Sequence, residues 1–367
     1  MSKLHELSDQ GVSIWLDDLS RQRLNSGNLE DLIHNHAVVG VTTNPSIFEA
    51  AISASDDYQE DGRRFAEEGL SAEEIITEIT TDDVRRACDL FSDLYSATGG
   101  YDGRVSIEVD PRLANNTAPT YEQAKELWAK IDRPNAMIKI PATKAGLPAI
   151  RDAIADGISV NVTLIFSVKR YEEVVDAYLT GLEKAQKKGL DLSQIHSVAS
   201  FFVSRVDSEV DARLEKIGGQ SALGMRGKAG VANARNAYAA FIKHFEESLR
   251  FRDLADEGAN LQRPLWASTG VKNPDYSPTM YVDQLVSKYL VNTMPENTLW
   301  ATKDHADLSG GDTIRPNLKS AKNTIDHIVL LGIDFDDVTD QLEDEGVEKF
   351  EVSWEDLINT VQDAMNS

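Results

Sequence analysis

Cysteine, basic charge and long apolar runs are what this chain of 367 residues has little of. Its one cysteine, Cys88, rules out an intrachain disulfide and points to a reducing compartment. Lysine and arginine number 37 against 61 aspartates and glutamates, a formal net charge of −24 with pI ≈ 4.6. That balance argues against nucleic acid or an anionic membrane surface as a partner, whereas a small anionic metabolite needs only a few cations converging locally. No uncharged apolar run is long enough to span a bilayer, and residues 1–9 contain no signal-peptide core, so the cytoplasm is expected. The histidines are scattered without metal-ligand spacing, and no Gly-rich dinucleotide fingerprint or Walker loop follows a strand pattern. Neither a metal nor a cofactor is expected.

What is present reads as an ordinary folded protein, with 41% hydrophobic and 27% charged residues and no internal repeat; the length admits two domains or one barrel with insertions. Runs with strand character recur at 11–18, 38–44, 104–110, 137–143, 159–166, 197–204, 264–269 and 291–295, the last being the weakest. Between them lie helical patterns: 55–98, closed by Gly99-Gly100; 121–131; a helix ending near Ala155 before Gly157; 168–188; and 204–256, broken at Gly218-Gly219 and Gly224. Strands alternating with helices in this number predict an α/β fold, a (β/α)8 TIM barrel with additional helices at the N-terminus, within insertions and at the C-terminus. An open doubly wound sheet is the alternative. Residues 1–367 read as a single barrel domain on which helices from about 315 to 367 pack, with the acidic run 334–345 as a solvated face. Cys88 falls in a helix core.

One lysine is out of place. In Met137-Ile138-Lys139-Ile140-Pro141, side chains alternate, so Ile138 and Ile140 share one face and Lys139 takes the other. If the isoleucines meet the helix layer, the ammonium points into the barrel, where lost hydration favours the neutral, nucleophilic amine. A snorkelling or edge-strand lysine is the simpler explanation for that strand alone. The neighbouring strands weigh against it. Val12, Ile14 and Leu16 leave Trp15 and Asp17 opposite; Val105, Ile107 and Val109 leave Ser106, Glu108 and Asp110; Val160, Val162 and Leu164 leave Ser159, Asn161 and Thr163; Ser200, Phe202 and Ser204 stand together. Inward polar groups are costly unless they satisfy one another or bind something, and the C-terminal end of the strands is where barrel enzymes keep catalytic side chains. Lys139 is therefore expected to be a nucleophile. Some members keep two readings: Asn44 as helix N-cap or ligand, Thr163 as β-former or site residue, Phe202 as core or contact, Asp17 as turn or site residue, and Arg205 as a partner of Asp207 or Asp211 or of a ligand.

Gly40-Val41-Thr42-Thr43-Asn44-Pro45-Ser46-Ile47-Phe48 and Met137-Ile138-Lys139-Ile140-Pro141-Ala142-Thr143-Lys144-Ala145-Gly146-Leu147 resemble the two signature motifs of the transaldolases. The similarity extends through 105–110, 161–167 and 199–205, in the right order. The resemblance implies a class I, Schiff-base aldolase barrel of the non-oxidative pentose phosphate pathway. Such an enzyme moves dihydroxyacetone from sedoheptulose 7-phosphate or fructose 6-phosphate to glyceraldehyde 3-phosphate or erythrose 4-phosphate. It further implies Lys139 as the Schiff-base lysine, Asp17 as the acid/base at the cleaved bond, and Glu108 and Thr163 as holders of the water used in imine formation and hydrolysis. Asn44, Asn161 and Ser200 would bind the dihydroxyacetone hydroxyls, Phe202 would line the site, and Arg205 would grip the phosphate. Lys272 stands where much of the family has an arginine, and Phe201 and Ser204 where many relatives have proline and glycine. The chain looks like a longer subgroup, whose C-terminal helices get no role from the comparison. Sugar phosphates are the expected partners, and a monomer or homodimer the expected assembly. One rival is a fructose 6-phosphate aldolase that releases free dihydroxyacetone; the chain's length and Phe202, where those relatives tend to carry tyrosine, separate it. The other is a barrel that binds without turnover, which fits poorly with Lys139, Asp17 and Glu108 all present.

Overall fold

In the computed structural model, which describes residues 2–365, eight parallel strands close into a barrel in chain order. They are β1 (Val12–Leu16), β2 (Val38–Thr42), β3 (Arg104–Glu108), β4 (Ala136–Pro141), β5 (Val160–Ile165), β6 (Ser197–Phe202), β7 (Arg263–Ala267) and β8 (Leu290–Met294). The faintest strand pattern is the one that closes the ring, since β8 pairs with β1 from Leu290 opposite Val12 to Met294 opposite Leu16. The open sheet is thereby replaced by a (β/α)8 barrel. Asp17, Asn44, Asp110 and Ser204 lie just past the strand ends, so the ladders are shorter than the sequence patterns.

Each strand is covered on both sides, as parallel strands inside a helix layer must be. Ile14, Val105, Ile107, Ile138, Ile140, Val160 and Val162 belong to the outer core against the helices, while Trp15, Met137, Val198, Leu265 and Val291 form a separate inner core. Trp15 enters the barrel because its register partner on β2 is Gly40, where a Cβ would fall 2.6 Å from the indole ring. Gly40→Ala should therefore cost about 1–3 kcal/mol by overpacking, measurable as a lower urea midpoint at unchanged slope.

Leu164 departs from the expected alternation. Its φ is +57, and the β5–β6 register shifts between Val162 and Ile165, so the side chain joins the inner core with Phe166 and Phe202 instead of facing the helices. A bulge re-aims side chains in this way at the rim of a barrel. Asp110, expected on the inner face with Glu108, leaves it to cap the following turn and pair with Arg112 at 2.6 Å.

The long helical stretches are broken where the chain needs caps. Residues 55–98 fold as a 3-10 turn followed by Gln59–Glu67, Ala72–Leu90 and Ser92–Ala97, with Gly69 in the left-handed region and Ser71 forming a capping box with Glu74. Residues 204–256 divide into Ser204–Ile217, Gly219–Leu223, Ala229–Phe241, a π-turn at Ile242–Glu246 and Leu249–Asp256. Cys88 is buried in Ala72–Leu90.

At the C-terminal end, Leu318–Leu330 is followed by the long helix Phe335–Met365. The latter packs on Pro45–Ala54, Gln59–Glu67, Ala72–Leu90 and Ser204–Ile217 and reaches β5. Most acids of 334–345 are solvated, but Val338 and Leu342 are buried and Glu343 pairs with Arg170 at 3.2 Å, so this turn is also a docking surface. Gly346 allows the close approach, for a Cβ there would meet Leu164 Cδ2 at 3.0 Å.

Candidate active site

The C-terminal ends of the strands surround a cavity of about 530 Å³, walled among others by Asp17, Asn44, Lys139, Ser200, Phe202 and Arg205. Lys139 is 4% exposed. Its Nζ donates to Thr43 O at 3.1 Å and lies 3.2 Å from Glu108 Oε2, the two residues being register partners on β4 and β3. Burial pushes the Glu108 carboxyl above the usual range, and the Lys139 charge opposes that shift. Asp17 sits across the cavity, its N–H bonded to Met294 O at 2.8 Å and its Oδ1 accepting from Thr42 Oγ1 at 2.6 Å. Burial raises its pKa too, again against the pull of Lys139. One buried cation thus faces two carboxylates that both resist ionisation.

Behind this wall lie further polar groups. Asn161, the β5 register partner of Lys139, donates to Ser106 Oγ at 3.0 Å and accepts from Ser200 Oγ at 2.7 Å. Ser200 lines the cavity, and Asn161 stands one hydrogen bond behind it. Glu108 Oε1 and Thr163 Oγ1 have no hydrogen-bond partner among the described residues although both atoms are buried, and Glu108 Oε2 has only the Lys139 ammonium, 3.2 Å away. Buried polar atoms without a partner are uncommon and mark strain, catalysis or a bound molecule.

Asn44 is the helix N-cap and stands on the cavity wall. Its Oδ1 caps Pro45–Ala54 by accepting from Ile47 N at 3.0 Å, and the residue also lines the cavity. Phe202 is core and wall at once: its ring lies 5.1 Å from that of Phe166, and the Arg205 guanidinium stands 5.2 Å over it. Arg205 does not pair with Asp207 or Asp211. Those carboxylates accept from Gly230 N and Tyr281 Oη, and from Gly227 N and Tyr276 Oη.

Arg205, Lys272 and Lys349 meet at the cavity mouth. Among the described residues, none of the three is ion-paired or donates a hydrogen bond, in a chain where most arginines are paired. Arg205, then burial, then Lys272 hold the Lys349 ammonium below the usual lysine range. Burial likewise lowers Arg205, opposed by the charges of Glu345, Asp17 and Glu108. Cations gathered without carboxylate partners favour a bound anion.

Lys349 and Phe350 are absent from the sequence-based candidates. Phe335–Met365 carries them over the barrel, with the Phe350 ring 5.7 Å from Lys139 Nζ. Their only signal is a lysine beside an apolar residue in an acidic amphipathic helix, which does not say what that helix covers. Thr42 and Thr293, whose hydroxyls are 2.6 Å apart next to Asp17, were likewise not singled out. Thr42 falls within the 40–48 motif, whose resemblance assigned it no task.

A family model described as transaldolase/fructose-6-phosphate aldolase matches residues 14–361. A protein of Mycolicibacterium smegmatis named transaldolase is 59% identical over 364 residues, 99% of this chain and 98% of its own length. Proteins of the same name from Mycobacterium ulcerans and Mycobacterium tuberculosis H37Rv are 59% and 58% identical, over 98% and 97% of this chain and 96% and 95% of their own. With the family matched across nearly its whole length, the chain belongs to the transaldolase/fructose-6-phosphate aldolase family.

Proposed function

We propose that this chain is a transaldolase that carries dihydroxyacetone from a ketose phosphate to an aldose phosphate on Lys139. The observation that carries this reading is the buried Lys139–Glu108 pair beside a cavity that Lys139 shares with three cations, Arg205, Lys272 and Lys349, unpaired among the described residues. A sugar phosphate has its reactive carbonyl and its phosphate at opposite ends. Glu108, beside Nζ, is placed to take the ammonium proton, and the neutral amine then attacks C2 of the ketose. Water leaves the carbinolamine to give the protonated imine, with Glu108 Oε1 and Thr163 Oγ1 holding that water in this reading. Asp17 takes the C4 hydroxyl proton, the C3–C4 bond breaks, and its electrons pass into the imine to form an enamine. The aldose phosphate departs. A second aldose phosphate is attacked by the enamine, receives the proton back from Asp17, and the same water route releases the new ketose.

Asn44 and Ser200, with Asn161 backing Ser200, bind the dihydroxyacetone hydroxyls in this reading. Arg205, Lys272 and Lys349 bind the phosphate. Lysines act there as point charges rather than as the bidentate fork an arginine supplies. Lys349→Met should raise KM for the sugar phosphates about tenfold while kcat changes by less than about twofold; steady-state kinetics at two salt concentrations check it, the loss shrinking at high salt.

Transfer rather than simple aldol cleavage is favoured by the enamine's surroundings. Phe350 sets an apolar ring 5.7 Å from Lys139 Nζ and Phe202 adds another to the same cavity wall, rings that have no hydroxyl to give a proton to the enamine carbon. Incubation with fructose 6-phosphate should release little free dihydroxyacetone, and adding erythrose 4-phosphate should start steady formation of sedoheptulose 7-phosphate. Equal ketose consumption with and without acceptor would make it an aldolase. The lone buried Cys88 and the lack of any described helix long and apolar enough to cross a membrane support a cytoplasmic place for this reaction.

A further inference from the structure

We propose that the opposite end of the barrel binds a small monovalent anion of chloride size between Arg104 and Arg263. β3 and β7 begin with these arginines, and together with His196, Ser197, Asn260 and Tyr101 they line a cavity of about 50 Å³ beneath the inner core. Arg104 is 1% exposed and Arg263 4% exposed. Asp102 is the single carboxylate paired there among the described residues, 3.2 Å from Arg263 Nη1. Arg263 also donates to Ser13 Oγ and Tyr101 O. Arg104 has no carboxylate: Nε donates to Gly100 O at 2.8 Å, Nη1 to Pro134 O at 3.3 Å, and the group stacks on Tyr95. Its Nη2 is buried with no hydrogen-bond partner.

The space beside that nitrogen is kept open. A Cβ at Gly100 would fall 2.9 Å from Nη2 and 3.0 Å from His196 Nε2. Charges do not balance around this space. Two guanidinium groups share one carboxylate, and His196 adds no charge because burial and the two arginines push it down to about 3. Burial and Arg263 bring Arg104 down to about 10, so it stays protonated at neutral pH. An uncompensated buried cation is costly, and a neutral water would satisfy Nη2 without offsetting its charge. The excess is one positive charge, which one monovalent anion balances and a dianion would overshoot, and a halide can enter past the 37% exposed Tyr101.

Bromide diffraction and melting test this on the full chain. Crystals soaked in sodium bromide should show an anomalous peak within hydrogen-bonding distance of Arg104 Nη2. The melting temperature should rise by about 2 °C per tenfold increase in bromide above half-saturation, at ionic strength fixed with gluconate. Arg104→Gln, which removes the excess charge, should lose both responses. A wild-type map with only water at Nη2 in saturating bromide overturns the proposal. So does a peak without any melting shift, which marks an adventitious ion only, or a shift of equal size in the variant. The reaction at the other end of the barrel plays no part in either readout, so this test and that of the transfer reaction fail separately.

Discussion

Lys139→Met should lower transfer turnover by at least on the order of 10⁴-fold, because no other amine is placed to make the imine that accepts electrons from C3. The other amines on the cavity wall, Lys272 and Lys349, stand with Arg205 at the phosphate end, and no further lysine lines the cavity among the described residues. The variant should still fold. Removing the ammonium leaves Glu108 buried without its partner, and a carboxyl already pushed up by burial answers by staying protonated instead of unfolding the barrel. Lys139→Arg should be equally inactive while keeping the charge, which separates loss of the nucleophile from loss of the ion pair. Circular dichroism together with coupled-enzyme turnover on all three proteins checks it.

Asp17→Asn should cost on the order of 10²–10⁴ in kcat while leaving imine formation intact. An asparagine oxygen can still accept from Thr42 Oγ1, so the side chain stays in place and only proton transfer at C4 is lost. Borohydride should therefore trap ketose on Asp17→Asn as readily as on the parent, in contrast to Lys139→Met. The pH profile carries a second sign. Asp17 acts as the carboxylate and its pKa is raised, so the acid limb of kcat/KM should lie above the ordinary aspartate value of about 3.9, with Glu108 contributing to the same coupled titration. Stability runs the other way. A folded-state pKa above the unfolded one means the native state holds the proton more tightly, so this group's contribution falls as pH rises from the unfolded value through the raised one. At neutral pH Asp17→Asn should be more stable than the parent in urea, the familiar trade between an active site and its fold.

Much of this was legible because the barrel obeys period two. Ile138 and Ile140 turn outward and Lys139 inward, as alternation requires, and the same rule put Asp17 and Glu108 at its end of the barrel. The rule failed at Leu164, where a bulge with positive φ reverses the face and no residue type announces it. Helix boundaries were blurred within 55–98, where apolar spacing continues across Gly69 while the caps interrupt the backbone; the breaks at Gly218-Gly219 and Gly224 were readable from the glycines themselves. Lys349 was invisible on different grounds. Its neighbours Arg205, in the first turn of Ser204–Ile217, and Lys272, in the loop after β7, come from far earlier in the chain, and amphipathicity tells which face of a helix is buried but not what lies beneath it. The phosphate end of the cavity therefore depends on a helix to which the sequence assigned no role, whereas the lysine end was readable from four strands.

The central claim is that Lys139 forms the covalent bond to substrate. The most direct measurement is to incubate the wild-type chain with fructose 6-phosphate, reduce with borohydride, digest, and map the adduct by mass. A reduced three-carbon ketose unit should appear on the peptide that contains Lys139 and be absent when borohydride is omitted. Turnover in the presence of an acceptor with Lys139 unlabelled, or with the label on another lysine, would contradict it.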